Sequence, residues 1–450
     1  MMKKKRVLIP AAVAAALCLL FALSIQLVST SSDDREKIVF WHEMTGSTKD
    51  TLAQLVDGFN NSQDKYEVVP YYQGTYEEVI QKVLNTYGTD ASPTVFQSAD
   101  ISVAQLYESG CITPIQTFVD KESYDIEQIY PVARNFYSYD DELFAMPFNT
   151  SQPVLYYNKS LFEEHGITPP PKEPTYSDLT RVAKELKEKA GTSVSGMSFI
   201  GYSWYFEEFA ANAGVTLVDN NNGRDGTVTK ATYNSTAMQE TLSWIQEGMK
   251  AGYFTNYGSG NTAMTNELTA FLSGKTGLMV RSSSASQQII TGTDDEIGIC
   301  YYPHPDGQER NGVSIGGAAL WISNDKSQVQ QEGAWAFIKY MLSAESQATW
   351  QAGTGYLALN KGSQYTDTLL DMYKENPALA IPSQQLATTV PNKTNSGTFM
   401  QGMNQSRLLL QTAMEQVYNG ADVKKALSEA EKSMDHYITQ NNLANSKQGG

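Results

Sequence analysis

From residue 37 onward the chain alternates short apolar runs with segments of helical period, and this rhythm limits the fold more than any other feature of the sequence. Residues 37–40 (KIVF) read as a buried strand, and residues 47–60 then place Leu52, Leu55, Val56 and Phe59 on one helical face. Residues 66–71 are again strand-like. Residues 76–86 are helical, with Val79, Ile80 and Val83 together, 94–97 form a strand and 101–108 a helix. Residues 147–157 (PFNTSQPVLYY) break the rhythm with a buried extended run carrying two prolines, which reads as a crossing segment. A second run follows, with helices over 176–190, 206–213 and 237–251 and strands over 196–200 and 277–280. A Gly-rich, strand-rich stretch occupies 298–322, and the chain is mainly helical from 328. Strands alternating with helices call for sheets covered by helices, and 450 residues suffice for two such units. The expected fold is α/β, with two lobes, each a mainly parallel sheet flanked by helices, joined by more than one crossing. No fixed period recurs, which excludes solenoids and propellers.

The first residues are sequence of another kind. Lys3, Lys4, Lys5 and Arg6 precede an apolar run over 7–28, broken only by Pro10, Cys18, Ser24 and Gln26, after which the chain turns polar. This is the order of an export signal, and residues 1–32 read as a signal peptide or as an N-terminal membrane anchor. The protein is therefore expected outside the cytoplasm: periplasmic, secreted, or tethered at the cell surface. Cys18 lies in the middle of the apolar run rather than at its end, so lipidation is not expected.

Composition excludes several function classes. The net charge is -16, and without the four basic residues of the N-terminal cluster the remainder carries -20, which argues against a nucleic-acid partner. Beyond Cys18 only Cys111 and Cys300 remain, enough for one disulfide but not for a disulfide framework. His42, His165, His304 and His436 show no metal-ligand spacing, so neither metal nor cofactor is expected.

Candidate catalytic motifs are weak. Gly312-Val-Ser314-Ile-Gly316 spells a nucleophile elbow, but a turn precedes it and a strand follows, the reverse of the required order. The segment 219–226 (DNNNGRDG) resembles a calcium loop, yet Gly223 and Lys230 stand where oxygen ligands are needed, and a solvated turn is the better reading. Glu207-Glu208 and Asp140-Asp141 are carboxylate pairs of the kind a secreted glycoside hydrolase would need. Adjacent side chains diverge, however, and surface charge is their expected role. Aromatic residues carry more information. Tyr occurs 26 times, and Tyr71, Tyr72, Tyr76, Trp204, Tyr205, Tyr301, Tyr302 and Tyr356 fall near loop and strand ends. Flat rings with a polar edge suit a pyranose or polyol.

Several segments together resemble one family. Phe40-Trp-His-Glu-Met44, Tyr66-Glu-Val-Val-Pro70 with Gly74-Thr-Tyr76, residues 147–158, Ile315-Gly-Gly-Ala-Ala-Leu-Trp321 and Thr354-Gly-Tyr-Leu357 are similar to the extracellular solute-binding proteins of ABC importers, in the carbohydrate class, family 1. Within it they are similar to the glycerol-3-phosphate-binding branch. The resemblance implies two lobes that close over one ligand, a monomer without enzymatic activity, and delivery to the permease subunits of an ABC transporter. It divides the chain into lobe 1 (36–147 and 313–362), lobe 2 (154–306 and 368–442) and a hinge near 148–153 and 307–312.

Matched singly onto this sequence, the branch's ligand-binding positions fall on Tyr76, Asp100, Ser151, Ser283, Gly317 and Tyr356, with Ser282 and Ser284 leaving the register of the second serine position open by one. The branch's arginine has no match, because Gly397-Thr-Phe399 stands where Gly-Leu-Arg is expected. A guanidinium is the natural partner of a phosphate, so its loss points away from glycerol phosphate, with Arg281 the one candidate substitute. Phe399, together with Trp204 in an altered aromatic loop, suits a neutral sugar ring. The expected ligand is a carbohydrate, whether sugar, oligosaccharide or polyol, and the alternative is sn-glycerol 3-phosphate or a glycerophosphodiester.

Overall fold

The computed structural model describes residues 34–448; the expected signal peptide or anchor at 1–32 lies outside the described residues. Thirteen strands occur among them. The first seven are β1 (Glu36–His42), β2 (Tyr66–Tyr72), β3 (Val95–Ala99), β4 (Ile112–Thr113), β5 (Ser138–Tyr139), β6 (Glu142–Leu143) and β7 (Met146–Ser151). The rest are β8 (Pro153–Asn158), β9 (Ser195–Gly201), β10 (Phe254–Ser259), β11 (Thr276–Ser282), β12 (Ile297–Cys300) and β13 (Gly316–Ser323).

They form two principal sheets. The first runs β2-β1-β3-β13-β4, with β7 also paired to β13; the second runs β10-β9-β11-β8-β12. Each is mixed rather than mainly parallel. β1 pairs in parallel with β2 and β3, and β9 with β10 and β11, because each of these connections passes through a helix. β13 is antiparallel to β3, β4 and β7, and β8 to β11 and β12. The antiparallel members include the strands that leave or enter a sheet at the crossings, so the sheets' mixed character and the two-lobed design have one origin.

Burial follows the sheets. Ile38, Phe40, Val95, Phe96 and Trp321 centre the first core, and Leu155, Phe162, Met197, Phe206 and Leu278 the second. Cys111 lies in the first and Cys300 in the second, both buried and free, so no disulfide joins the lobes. Among the described residues three short crossings connect the lobes. Ser151 ends β7 and Pro153 opens β8; Val313 packs in the second core and Ile315 in the first; Phe399 packs in the first and Met400 in the second. The second crossing thus falls just after the 307–312 expected for the hinge. The stretch assigned to lobe 2 from 368 serves both lobes: Leu369 packs on Ala348 and Ala358, Leu386 joins the first core, and Ile381 packs against Ile297 and Ile299 of the second sheet.

Among the described residues no helix is long and apolar enough to cross a membrane, and no cluster of His, Cys, Asp and Glu has the make-up of a metal site.

Candidate functional site

A cavity of about 510 Å³ opens between the lobes at the strand ends beside the crossings. Lobe 1 contributes Tyr76, Asp100, Ser151, Gly317 and Tyr356; lobe 2 contributes Tyr202, Trp204, Tyr205, Arg281 and Arg407. Polar groups converging on an aromatic-lined interdomain cleft are the usual setting for a small-molecule site.

Local structure fixes each wall. Tyr76 is the first residue of the helix Tyr76–Thr86, held by a capping box in which Thr75 accepts from the Glu78 amide and Glu78 accepts from the Thr75 amide. Asp100 follows β3 in a tight turn and accepts from the Ile101 amide at 2.8 Å. Ser151 faces Gly316 in the β7–β13 pairing, one step from Gly317 opposite Thr150. Gly317 has φ +113°, and a Cβ there would fall 1.9 Å from the Asn149 carbonyl oxygen, so only glycine allows β13 this approach to β7. A Cβ on Gly316 would meet the Trp204 ring at 2.8 Å, so the glycine pair also seats the indole. Tyr356 is stacked on Trp350, 6.0 Å between centroids and 16° between planes. Trp204 is the second residue of the helix Ser203–Asn212, is 4% exposed, and its indole N–H is buried without a hydrogen-bond partner.

Both cleft arginines are engaged by carboxylates. Arg407 donates from Nε and Nη2 to the two oxygens of Glu207, at 2.7 and 2.9 Å, and from Nη2 to Asp100 of the opposite lobe at 3.1 Å. Burial alone would lower its pKa, but the Asp100 and Glu207 charges hold the guanidinium well above its ordinary value. Arg281 lies 3.7 Å from Glu267 and donates to the Met264 carbonyl. Burial raises the Glu267 carboxyl to about 7, against smaller opposing effects of Ser198 and Arg281.

Of the residues expected from the sequence, the structure brings together Tyr76, Asp100, Ser151, Gly317, Tyr356 and Trp204. Two others lie elsewhere. Ser283 is 1% exposed and spends its groups on the first crossing: its hydroxyl accepts from the Gln152 amide at 3.1 Å, and its own amide donates to the Gln152 carbonyl at 2.8 Å. Its neighbours Ser282 and Ser284 line the cleft instead. Phe399 is turned away by the loop after Gly397, its amide donating to the Asn222 carbonyl. Its ring stacks on Tyr139 at 4.2 Å and meets Tyr107 edge-on, in a separate groove. The expectation that Phe399 contacts a sugar ring is therefore corrected: the ring belongs to the packing of lobe 1.

The glutamate pair is also not surface charge. Glu207 holds Arg407, whereas Glu208 is 1% exposed and accepts from the Ser314 amide of the second crossing at 2.7 Å. Burial, and then the charge of Glu207, push the Glu208 carboxyl well above its ordinary range.

Arg407 was missed in the sequence, although a signal exists. It is the one basic residue of the helix Met403–Tyr418, and it falls on the same face as Met403, Leu410 and Met414, where a solvated charge does not belong.

The family model for bacterial extracellular solute-binding proteins matches residues 54–381. The sn-glycerol-3-phosphate-binding periplasmic protein of Yersinia pseudotuberculosis is 27% identical over 398 residues, covering 87% of this chain and 89% of that protein. Among solved structures, the cyclic α-maltosyl-1,6-maltose binding protein of Arthrobacter globiformis superposes with a TM-score of 0.76 at 17% identity, covering 90% of this chain and 100% of that one. A Mycobacterium tuberculosis protein solved with glycerophosphocholine gives 0.73 at 18%, covering 90% and 99%. At these identities the structures show a common fold.

Proposed function

The chain belongs to the bacterial extracellular solute-binding proteins, and from that premise we propose that it captures a neutral carbohydrate or polyol in the interlobe cleft and delivers it to an ABC permease by closing its lobes. The observation that carries this reading is the pairing of both cleft cations. Arg407 is satisfied by Glu207 and Asp100, and Arg281 faces Glu267, so a phosphate entering the cleft must compete with carboxylates already in place. A neutral polyol has no such competition. It presents hydroxyls to Asp100 and Ser151, and apolar faces to Tyr76, Trp204 and Tyr356.

Closure draws on the same residues. Arg407 stands on lobe 2 and reaches Asp100 on lobe 1, so a ligand that bridges the walls adds to a contact already present only when the lobes are together. The relatives named for sn-glycerol 3-phosphate support the second reading, in which Arg407 exchanges Asp100 for a phosphate. Catalysis is not part of either reading: of the two carboxylates that line the cleft, Asp100 and Glu77, the first is committed to Arg407, and the matched relatives are binding proteins. An N-terminal segment retained as an anchor keeps the protein at the membrane beside its permease.

A thermal-shift panel of saccharides, polyols, sn-glycerol 3-phosphate and glycerophosphodiesters tests the proposal, since a ligand at a hundred times its dissociation constant adds about 2.7 kcal/mol of stability. Stabilisation by a neutral compound supports it. Stabilisation by phosphates alone selects the second reading, and turnover of chromogenic glycosides would refute both.

A further inference from the structure

The turn at 219–226 has no part in the cleft lining, yet three consecutive residues in it stand in the left-handed region: Asn220, Asn221 and Asn222, with φ of 50°, 52° and 61°. Asparagine tolerates that region better than most residues, but three in a row persist only where the surroundings hold them. Here they are held. Asn222 Oδ1 accepts from the Leu217 amide at 2.7 Å, the Asn222 carbonyl accepts from the Phe399 amide at 2.8 Å, and Asp219 accepts from the Thr229 amide at 2.9 Å. A Cβ on Gly223, at φ +72°, would fall 2.1 Å from the Phe399 carbonyl oxygen, so glycine is what lets the turn close on the third crossing.

The turn thereby carries Arg224 to the opposite lobe. Its Nε donates to the Gly397 carbonyl at 2.9 Å, and Nη1 to the carbonyls of Asn135 and Ser138 at 3.0 and 2.7 Å. Nη2 donates to the Phe136 carbonyl at 3.0 Å and to the Ser396 carbonyl. A guanidinium has five N–H donors, and all five are used here, each on a different carbonyl. Three of these carbonyls belong to lobe 1, on the helix Pro131–Phe136 and on β5, and two lie just before the third crossing. The other two crossings are tied separately. Gln152 of the first is fully buried, donates from Nε2 to the Ser314 carbonyl of the second at 3.0 Å, and accepts from Gln385 Nε2 at 3.2 Å. The two joints share no residue, and two fixed joints between rigid bodies leave one motion, a rotation about the line through both.

We propose that Arg224 is a pivot, a fourth and non-covalent connection between the lobes that stays made in the open and closed forms and confines their motion to one rotation, so that the walls carrying Tyr76 and Trp204 meet in register. This rests on the lobe closure of the proposed function and adds what guides it. Bonds at the crossings lie beside the axis, where a rotation displaces groups least, whereas Arg407 and Asp100 face each other inside the cleft and part when it opens. Releasing Arg224 takes five carbonyls from one shared charged donor, so the joint resists parting as the lobes swing. Lysine, with three donors on a single nitrogen, cannot span five carbonyls spread over two segments.

The test is pulsed dipolar distance measurement between spin labels in the wild type, Arg224→Lys and Arg224→Met. One label pair, Lys82→Cys with Thr265→Cys, sits on the helices that carry Tyr76 and Met264 and spans the cleft. The other, Asn135→Cys with Lys230→Cys, spans the joint, and all four positions are exposed. Cys111 and Cys300 are buried and stay unlabelled. Without added solute the wild type gives a single narrow distance across the joint. Both variants broaden the joint and the cleft distributions, Arg224→Lys less than Arg224→Met, and the lysine variant carries the test alone should the methionine variant fail to fold. Loss of stability by itself leaves the shape of these distributions unchanged. Affinity for any compound of the thermal-shift panel that the wild type binds falls with the closed fraction, about tenfold where that fraction drops to a tenth. A joint distribution that stays narrow in both variants overturns the pivot and leaves the proposed function standing. So does a wild-type joint distance that changes when a panel compound closes the cleft, which makes Arg224 a latch instead. A wild-type cleft distance that no panel compound changes overturns lobe closure and this inference with it.

Discussion

Replacing Glu267 by Gln removes the least solvated carboxyl beside the cleft cations, and its effect can be worked out from the structure. Glu267 lies on the helix Gly260–Leu272, is 1% exposed, and its Oε2 has no hydrogen-bond partner, Arg281 standing 3.7 Å away. A carboxyl held at about 7 in place of its ordinary 4.5 is about 3 kcal/mol harder to ionise in the folded protein than in the unfolded chain. Between those two values the native state binds more protons than the unfolded state, so stability falls as the pH rises. Below about 4.5 the group is neutral in both states and contributes no slope; above about 7 the loss is complete. Gln cannot ionise. Urea unfolding at about pH 5 and pH 8 should therefore show the wild type losing about 2.5 kcal/mol more than Glu267→Gln across that interval, whatever the variant's absolute stability. Parallel pH profiles for the two proteins would refute the reasoning. The same variant leaves Arg281 without a charged partner, so its affinity for sn-glycerol 3-phosphate should rise relative to the wild type.

Three further outcomes follow from the geometry. Arg224, on the lobe 2 loop, donates to the carbonyls of Asn135, Phe136, Ser138, Ser396 and Gly397. Burial lowers its pKa to about 10, still charged at neutrality, so Arg224→Met should destabilise the protein by about 3–5 kcal/mol and raise hydrogen exchange in 135–138 and 396–399. Tyr356→Ala should weaken the true ligand by about 1–3 kcal/mol by calorimetry, through lost ring contact and hydrogen bonding. Gly317→Ala forces a Cβ against the Asn149 carbonyl at positive φ, and should cost about 1–3 kcal/mol in chemical unfolding together with a measurable loss of ligand affinity.

The lobes were legible because their elements are locally consistent. The periods that put Leu52, Leu55, Val56 and Phe59 on one face, or Val79, Ile80 and Val83, are the ones the cores use. The strand direction within each sheet was not, since β13 enters the first sheet from the other lobe and its pairing with β3 is set over more than two hundred residues of chain. Site residues within motif-rich turns were readable: Tyr76, Asp100, Ser151, Gly317 and Tyr356 do share one cleft. Ser283 and Phe399 failed because matching a segment does not say which way a side chain points. One hydroxyl is consumed by the Gln152 backbone, and one ring is folded under Tyr139. Arg407 and Glu207 are distant in sequence and form a bidentate pair only after the helices Met403–Tyr418 and Ser203–Asn212 pack together. The turn at 219–226 hid its role for the same reason, since Arg224 gains its five carbonyl partners only across lobes.

Whether paired cations leave the cleft to a neutral solute is decided by competition. The protein is incubated with an equimolar mixture of saccharides, polyols, sn-glycerol 3-phosphate and glycerophosphodiesters, and the retained ligand is identified from its mass by native mass spectrometry. A neutral polyhydroxyl compound held in preference to every phosphate is the expected result. A phosphate ester retained against neutral competitors at equal concentration would contradict it, and would mean that Arg407 leaves Asp100 for the ligand.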